Sequence, residues 1–320
     1  MKTLLTVLIL LTISEETLTQ ESISFHDINL EAAVREAIEL PIGSFNSNYL
    51  ESITHLNILD KNIHSLEGLE HLKNLEVLTA GFNPINDLSP LSNLSHLKIL
   101  NLANGELVDL SPLENLKELI GIWVPGNMIS DLSPLQGLDS LQHLILAKND
   151  ISDISAISNL KQMVQLNIDH NEVKDISPIS GLVNLEQLTL NGNQIIDISP
   201  LSKMVDLKWL DLRNNNIVNV SMLSKLILLE KLFLWNNLIT DISSFNDLSN
   251  LEWLELGANN ILNIDSLLEL KKLKKLSIND NFLDLKPDSK ALDIIENLEI
   301  RDIEINYLQQ QNYNYFQKID

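Results

Sequence analysis

An apolar residue returns every 22 residues along most of this chain: Ile53, Leu75, Leu97, Leu119, Leu141, Met163, Leu185, Leu207, Leu229, Leu251 and Leu273. Each unit of such a period is too short to bury its own apolar face. Stacking on its neighbours is what closes the core, so the chain must be an elongated solenoid rather than a closed globule. Within a unit the pattern reads L-x-x-L-x-L-x-x-N, as in Leu185, Leu188, Leu190 and Asn193, with Ile195 two residues on. Side chains alternate across an extended strand, so the leucines at positions one, four and six of the repeat turn into the coil. Positions three, five and seven face outward.

This is the pattern of a leucine-rich repeat, and the expected fold is an α/β solenoid. It should be a right-handed superhelix with a parallel sheet on the concave side and short 3₁₀ or single-turn helices on the convex side. Asn83, Asn127, Asn149, Asn171, Asn193, Asn215, Asn237, Asn259 and Asn281 follow the strands. An amide there can bond backbone groups left unpaired by the bend. Lys61 and Gly105 interrupt this ladder, and their turns should be less tightly tied. Asp87-Leu88-Ser89-Pro90-Leu91 recurs at 109–113, 131–135, 175–179 and 197–201, with Ile at the last place of the fourth copy. Serine as cap and proline at the first helical position should open each convex turn. The Asp series could line up calcium sites along one edge, but a capping role suits its place just before the serine better.

An open solenoid needs its ends covered. Ile28, Leu30, Ala33, Val34, Ala37 and Ile38 form a helical stripe that Pro41 and Gly43 should stop. Lys290 to Asn297 reads as a second helix, Leu298 to Tyr307 as a strand over the last coil, and Gln309 to Asp320 as a frayed polar tail. Lys2 followed by the apolar run Thr3 to Ile13 reads as a signal peptide, too short to span a bilayer. The expected layout is a signal peptide at 1–20, a helical cap at 21–52, repeats at 53–285 and a cap with tail at 286–320.

The Asp-Ile-Ser-Pro-Leu phrase at 197–201, the 22-residue step and a helical cap running into Ser65-Leu66-Glu67-Gly68-Leu69 resemble the internalin family of bacterial leucine-rich repeat proteins. The likeness spans roughly residues 25 to 285. It implies an exported or cell-surface protein that grips another protein in its concave face. The immunoglobulin-like module that usually follows the repeats and a Leu-Pro-x-Thr-Gly sorting motif have no counterpart here, so wall anchoring and host-cell entry are not expected. The cytosolic regulatory subunits of protein phosphatase 1 are similar in repeat but carry no signal peptide. They supply the alternative, an intracellular scaffold.

The outward positions say where a partner would sit. Position three reads His143, Gln165, Gln187, Trp209, Lys231, Trp253 and Lys275 along successive repeats, and position five contributes Trp123, Asp211, Phe233 and Glu255. Position seven adds Arg213 and Trp235. Tryptophan and arginine are enriched at binding hot spots. Trp209, Lys231, Phe233, Trp235 and Trp253, flanked by Asp211, Arg213 and Glu255, are therefore the expected centre of a protein-binding patch, with Trp123 as a second contact or a local cover. Mutual stacking of Lys231 with the two indoles is the competing reading. A homodimer through this face would satisfy the same residues.

Other chemistry finds little footing. Twenty-two Lys plus Arg stand against 44 Asp plus Glu, a formal charge of -22, which opposes phosphate-dependent binding of nucleic acid and favours a basic partner. The chain has no cysteine, hence no disulfide, thiolate zinc site or thiol nucleophile. The basic run Lys271, Lys272, Lys274 and Lys275 reads as a solvated end. His143 and His170 do not share a repeat position, and no phosphate loop, HExxH or G-x-S-x-G motif occurs. No enzyme, cofactor or metal is expected, and no segment reaches membrane-spanning length.

Overall fold

The computed structural model describes residues 23–40 and 42–311. The signal peptide expected at 1–20, the stop signal at Pro41 and the tail beyond Gln311 lie outside the described residues. Helix α1 (Ile28–Ala37) and helix α2 (Ser47–Glu51) lead into strands β1 (His55–Asn57), β2 (Val77–Thr79), β3 (Ile99–Asn101), β4 (Gly121–Trp123), β5 (His143–Ile145) and β6 (Gln165–Asn167). Strands β7 (Gln187–Thr189), β8 (Trp209–Asp211), β9 (Lys231–Phe233), β10 (Trp253–Glu255) and β11 (Lys275–Ser277) continue the series, and helix α3 (Lys290–Glu299) precedes β12 (Glu304–Asn306). The strands pair in chain order in one sheet. Every pair is parallel, with partners one repeat apart from β1 to β11.

The repeat leucines fill one continuous core, as at Leu207, Leu210 and Leu212, all fully buried. The asparagine ladder ties coil to coil. Asn193 donates from Nδ2 to the carbonyls of Ile168 (2.9 Å) and Leu190 (3.0 Å), and its Oδ1 accepts from Val173 N–H at 3.0 Å. Where Gly105 interrupts the ladder, the orphaned N–H of Ile85 turns to the Asn83 carbonyl at 2.8 Å. At Lys61 the next asparagine adds a bond, Asn83 Oδ1 accepting from Lys61 N–H as well as from Ile63 N–H, its ordinary rung in the ladder. Both turns thus remain tied, through different bonds. The position before each ladder residue is left-handed, for example Asn214 at φ +53°, Asn236 at +57° and Ala258 at +52°. Asn tolerates this region because its short polar side chain bonds locally, whereas Ala has no such relief.

On the convex side the five 3₁₀ turns of the Asp-x-Ser-Pro phrase begin at the serine, with proline second, as in Ser89–Leu91. The N-cap place itself falls on the residue between, Leu88, and the aspartate before it bonds the serine from outside the helix. Asp131 accepts the Ser133 backbone N–H and the Ser133 hydroxyl, both at 2.8 Å, and Asp87, Asp109, Asp175 and Asp197 repeat the arrangement. Both carboxylate oxygens are taken by serine, which is the chemistry of a turn cap. Those backbone and hydroxyl bonds hold the Asp109, Asp131 and Asp175 carboxyls below the usual range. A carboxyl depressed in the folded state stabilises above its unfolded pKa, and the contribution is lost as pH falls through its folded value. Asp131→Asn, which keeps one acceptor as Asn219 does for Ser221, is expected to destabilise at neutral pH. The difference from the parent should vanish in acid, as read by melting temperature against pH.

Both ends are covered. Asp27 caps α1 through Asn29 and Leu30 and also accepts His64 N–H from the first coil at 2.7 Å. Leu30, Ala33 and Val34 are buried, but Ile28 and Ala37, placed by periodicity on the same stripe, face solvent. Phe25 and Phe45 meet edge to face at 5.0 Å, and α2 adds Leu50 to the core, an element the sequence pattern does not announce. At the far end α3 runs on through Leu298, and the covering strand shrinks to Glu304–Asn306, paired parallel with β11. Gln310, expected to be frayed, takes the missing ladder position. Its Nε2 donates to Ile278 and Tyr307 carbonyls (3.0 and 2.6 Å), and its Oε1 accepts from Asn281 and Leu283 N–H. Among the described residues no helix is long and apolar enough to cross a membrane.

Candidate functional site

Because strands stack in register, Trp209, Lys231, Trp253 and Lys275 lie side by side along position three of β8 to β11. The Lys231 ammonium sits 4.5 Å from the Trp209 ring and 5.8 Å from that of Trp253, and Lys275 lies 4.7 Å from Trp253 on its other side. Each indole is thus capped by a cation of the chain itself, the stacking that spacing alone allowed.

Phe233 fills the space beside this row, 5.4 Å from Trp209 and 5.1 Å from Trp253. It is 3% exposed, and so is Asp211. Both were expected on the open face, and the structure places them beneath it. Alternation fixes which side of the sheet a residue leaves, but not whether larger neighbours roof it over. Here two indoles cover Phe233, and the Arg213 guanidinium lies 5.1 Å from its ring. Arg213 is itself clamped to Asp211, through Nε at 3.0 and 3.1 Å and Nη2 at 2.5 Å. Glu255 approaches Nη1 at 3.6 Å. The Asp211 bonds hold the Arg213 pKa above the ordinary arginine value. Both oxygens of Asp211 are committed to this fork.

Trp235 differs from its neighbours. It is 38% exposed, and its ring lies across Gly257, where a Cβ would come within 2.8 Å of the indole Cδ1. Glycine at that position is what lets the ring lie flat on the sheet. Trp235, Arg213, Asn214, Glu255, Asn191 and Asn279 line a groove of about 460 Å³, with Ser277 and Asn306 at its end. Asn236 Nδ2 donates to Asn214 Oδ1 at 2.9 Å, and Asn214 Nδ2 donates to Asn191 Oδ1 at 2.8 Å. These asparagines were not singled out from the sequence; their signal is that they sit at positions seven and eight beside Arg213 and Trp235. Asp169, below Arg213, accepts Asn191 N–H at 2.7 Å. Burial pushes its carboxyl up, with the nearby Asp211 charge adding to the effect.

Trp123 belongs elsewhere. Strands β5, β6 and β7 separate it from the cluster; it stacks on His143 at 6.0 Å and 17° and fills the space that a side chain at Gly121 would need. The basic run is spent locally: Lys271 bonds the Leu268 carbonyl, Lys272 bonds Asn250, Lys274 pairs with Glu252 and Lys275 with Glu304.

The model for leucine-rich repeats in two copies matches residues 73–115, 139–181 and 161–203. An internalin of Listeria monocytogenes, InlF, superposes with a TM-score of 0.81 at 30% identity, over 90% of this chain and 91% of that one. The chain belongs to the internalin family. A second internalin of the same organism, InlC2, is 32% identical with a TM-score of 0.63, over 68% of this chain and 94% of the other. InlJ of L. monocytogenes, described as including a cysteine ladder, shares the fold at 23% identity and a TM-score of 0.75, over 90% of this chain and 60% of that one. No such ladder is available to a chain without cysteine, and asparagine does the tying here. No curated protein matches the chain.

Proposed function

We propose that this internalin-family chain is an exported, non-catalytic binder that recognises another protein through the concave side of β8 to β11. The observation that carries the reading is the convergence of Trp209, Phe233, Trp235 and Trp253 with Lys231 and Arg213 on adjacent strands. Aromatic and arginine side chains held in place by their own contacts lose little entropy on binding, the property of a hot spot. Trp209 and Trp253, capped by lysines, form the ordered base, and Trp235 is the projecting contact. Export rests on the apolar N-terminal run. The acidic surface favours a basic partner and faster association at low salt.

Trp235→Ala is expected to cost about 2 kcal/mol or more of affinity for the bound protein while leaving the melting temperature unchanged. Trp123→Ala, outside the cluster, is expected to cost less than about 0.5 kcal/mol. Equal losses in the two variants, measured by calorimetry, would remove the patch assignment.

A further inference from the structure

Three of the four aromatic rings in the cluster are already served by a cation of this chain: Lys231 over Trp209, Lys275 over Trp253 and Arg213 over Phe233. Trp235 is the exception, for no lysine or arginine among the described residues lies over its ring. It is also the most exposed of the four. Beside it the Glu255 carboxylate accepts no hydrogen bond among the described residues and reaches Arg213 only at 3.6 Å, because that guanidinium is taken by Asp211. The carboxylates of Asp211 and Glu255 thus both lie against one guanidinium, within whose field the Asp169 carboxyl also falls. An open indole face and a carboxylate without a hydrogen bond border one groove.

We infer that the groove between Trp235 and Glu255 is a socket for a cationic side chain, an arginine or lysine presented by the protein partner. The cation would lie against the indole and pair with Glu255, completing at Trp235 the arrangement that Lys231, Lys275 and Arg213 make at the other rings. Charge complementarity supports this occupant over an acidic or neutral one: the local carboxyl excess matches the sign of the whole chain, -22. The Asn191 and Asn214 amide oxygens at the groove wall each accept one neighbouring side-chain amide and keep a second lone pair for a remaining N–H of a guanidinium. The inference rests on the concave face being the recognition surface and adds the chemistry of what it grips.

The test uses the full chain labelled at its tryptophan indole nitrogens, whose four N–H signals are assigned from single Trp→Phe variants. An acetyl-Gly-Arg-Gly-amide peptide is titrated in, followed by the citrulline counterpart, which keeps the shape and loses the charge. The arginine peptide should move the Trp235 signal saturably and leave Trp123 in place, with the citrulline peptide binding about tenfold more weakly. Glu255→Gln should weaken the arginine peptide about fivefold, with the other indole signals unchanged. Equal binding of the citrulline peptide would overturn the inference in favour of neutral hydrogen-bond recognition, as of a sugar. An unmoved Trp235 signal at millimolar peptide would overturn it outright. The two readings fail separately. A protein complex in which Trp235 moves but Glu255→Gln leaves affinity unchanged removes the cation socket alone, whereas one that moves no concave indole removes the recognition face.

Discussion

Asn193→Ala is expected to lower stability by about 3 kcal/mol, although it removes only one small polar side chain. Asn193 is 7% exposed, and its loss orphans the Val173 N–H and takes one of two amide donors from each of the Ile168 and Leu190 carbonyls, which keep Asn171 and Asn215. A buried backbone group left unpaired costs about 1–3 kcal/mol, and water cannot reach these across a closed coil. The native interruption at Gly105 shows what a tolerated break requires. There the Ile85 N–H finds the Asn83 carbonyl, and the glycine leaves room for the turn to close. Alanine at 193 brings no such rearrangement. Because a solenoid communicates only between neighbours, the loss should appear as earlier unfolding of the repeats on either side of the site. Urea unfolding followed by hydrogen exchange would show it, and a loss below about 1 kcal/mol would mean the ladder is ornamental to stability.

Phe233→Ala is expected to cost about 3–4 kcal/mol and to loosen the recognition surface at the same time. Its ring is buried at a position where the repeat usually shows solvent-facing side chains. It supports Trp209 and Trp253 from one side and carries Arg213 over its face. Truncation opens a cavity under two indoles and frees the guanidinium to leave Asp211, whose carboxylate would then be buried without its partner. Phe233→Leu, which keeps most of the volume, should recover most of the stability while the tryptophan fluorescence still shifts. A fully exposed position would give neither result, so unchanged melting of Phe233→Ala would show that the aromatic cluster does not pack as described.

The sequence is a direct record of the parts of this fold that repeat. Leucines at positions one, four and six, the asparagine ladder and the Asp-x-Ser-Pro turn each have one local physical cause, so recurrence alone identifies them. What escapes the pattern depends on neighbours brought together by stacking. Phe233 and Asp211 sit at outward positions and are buried only because Trp209, Trp253 and Arg213 are large enough to reach over them. Gln310 lies outside the repeat and has no asparagine, yet its longer amide reaches the same backbone groups that a ladder residue would. The left-handed turn at position eight is filled by Asn, Asp, Lys, His, Phe, Ala or Gly, so no single residue type advertises it. In the candidate site the tryptophans were legible because they break the polar run of the face. The distinction between the two that are capped and the one that is open required the positions of the lysine ammonium groups.

Partner recognition on the concave side of β8 to β11 is the property on which the proposed function rests. Its most direct test places a photo-activated benzoylphenylalanine at Trp235 and, separately, at Asn246 on the convex side, in the otherwise unaltered chain, followed by cross-linking in native culture medium and mass spectrometry. Concave recognition predicts a protein joined to position 235, absent at position 246 and competed away by excess unlabelled chain. The same protein joined at 246 and not at 235 would contradict it and move recognition to the convex side.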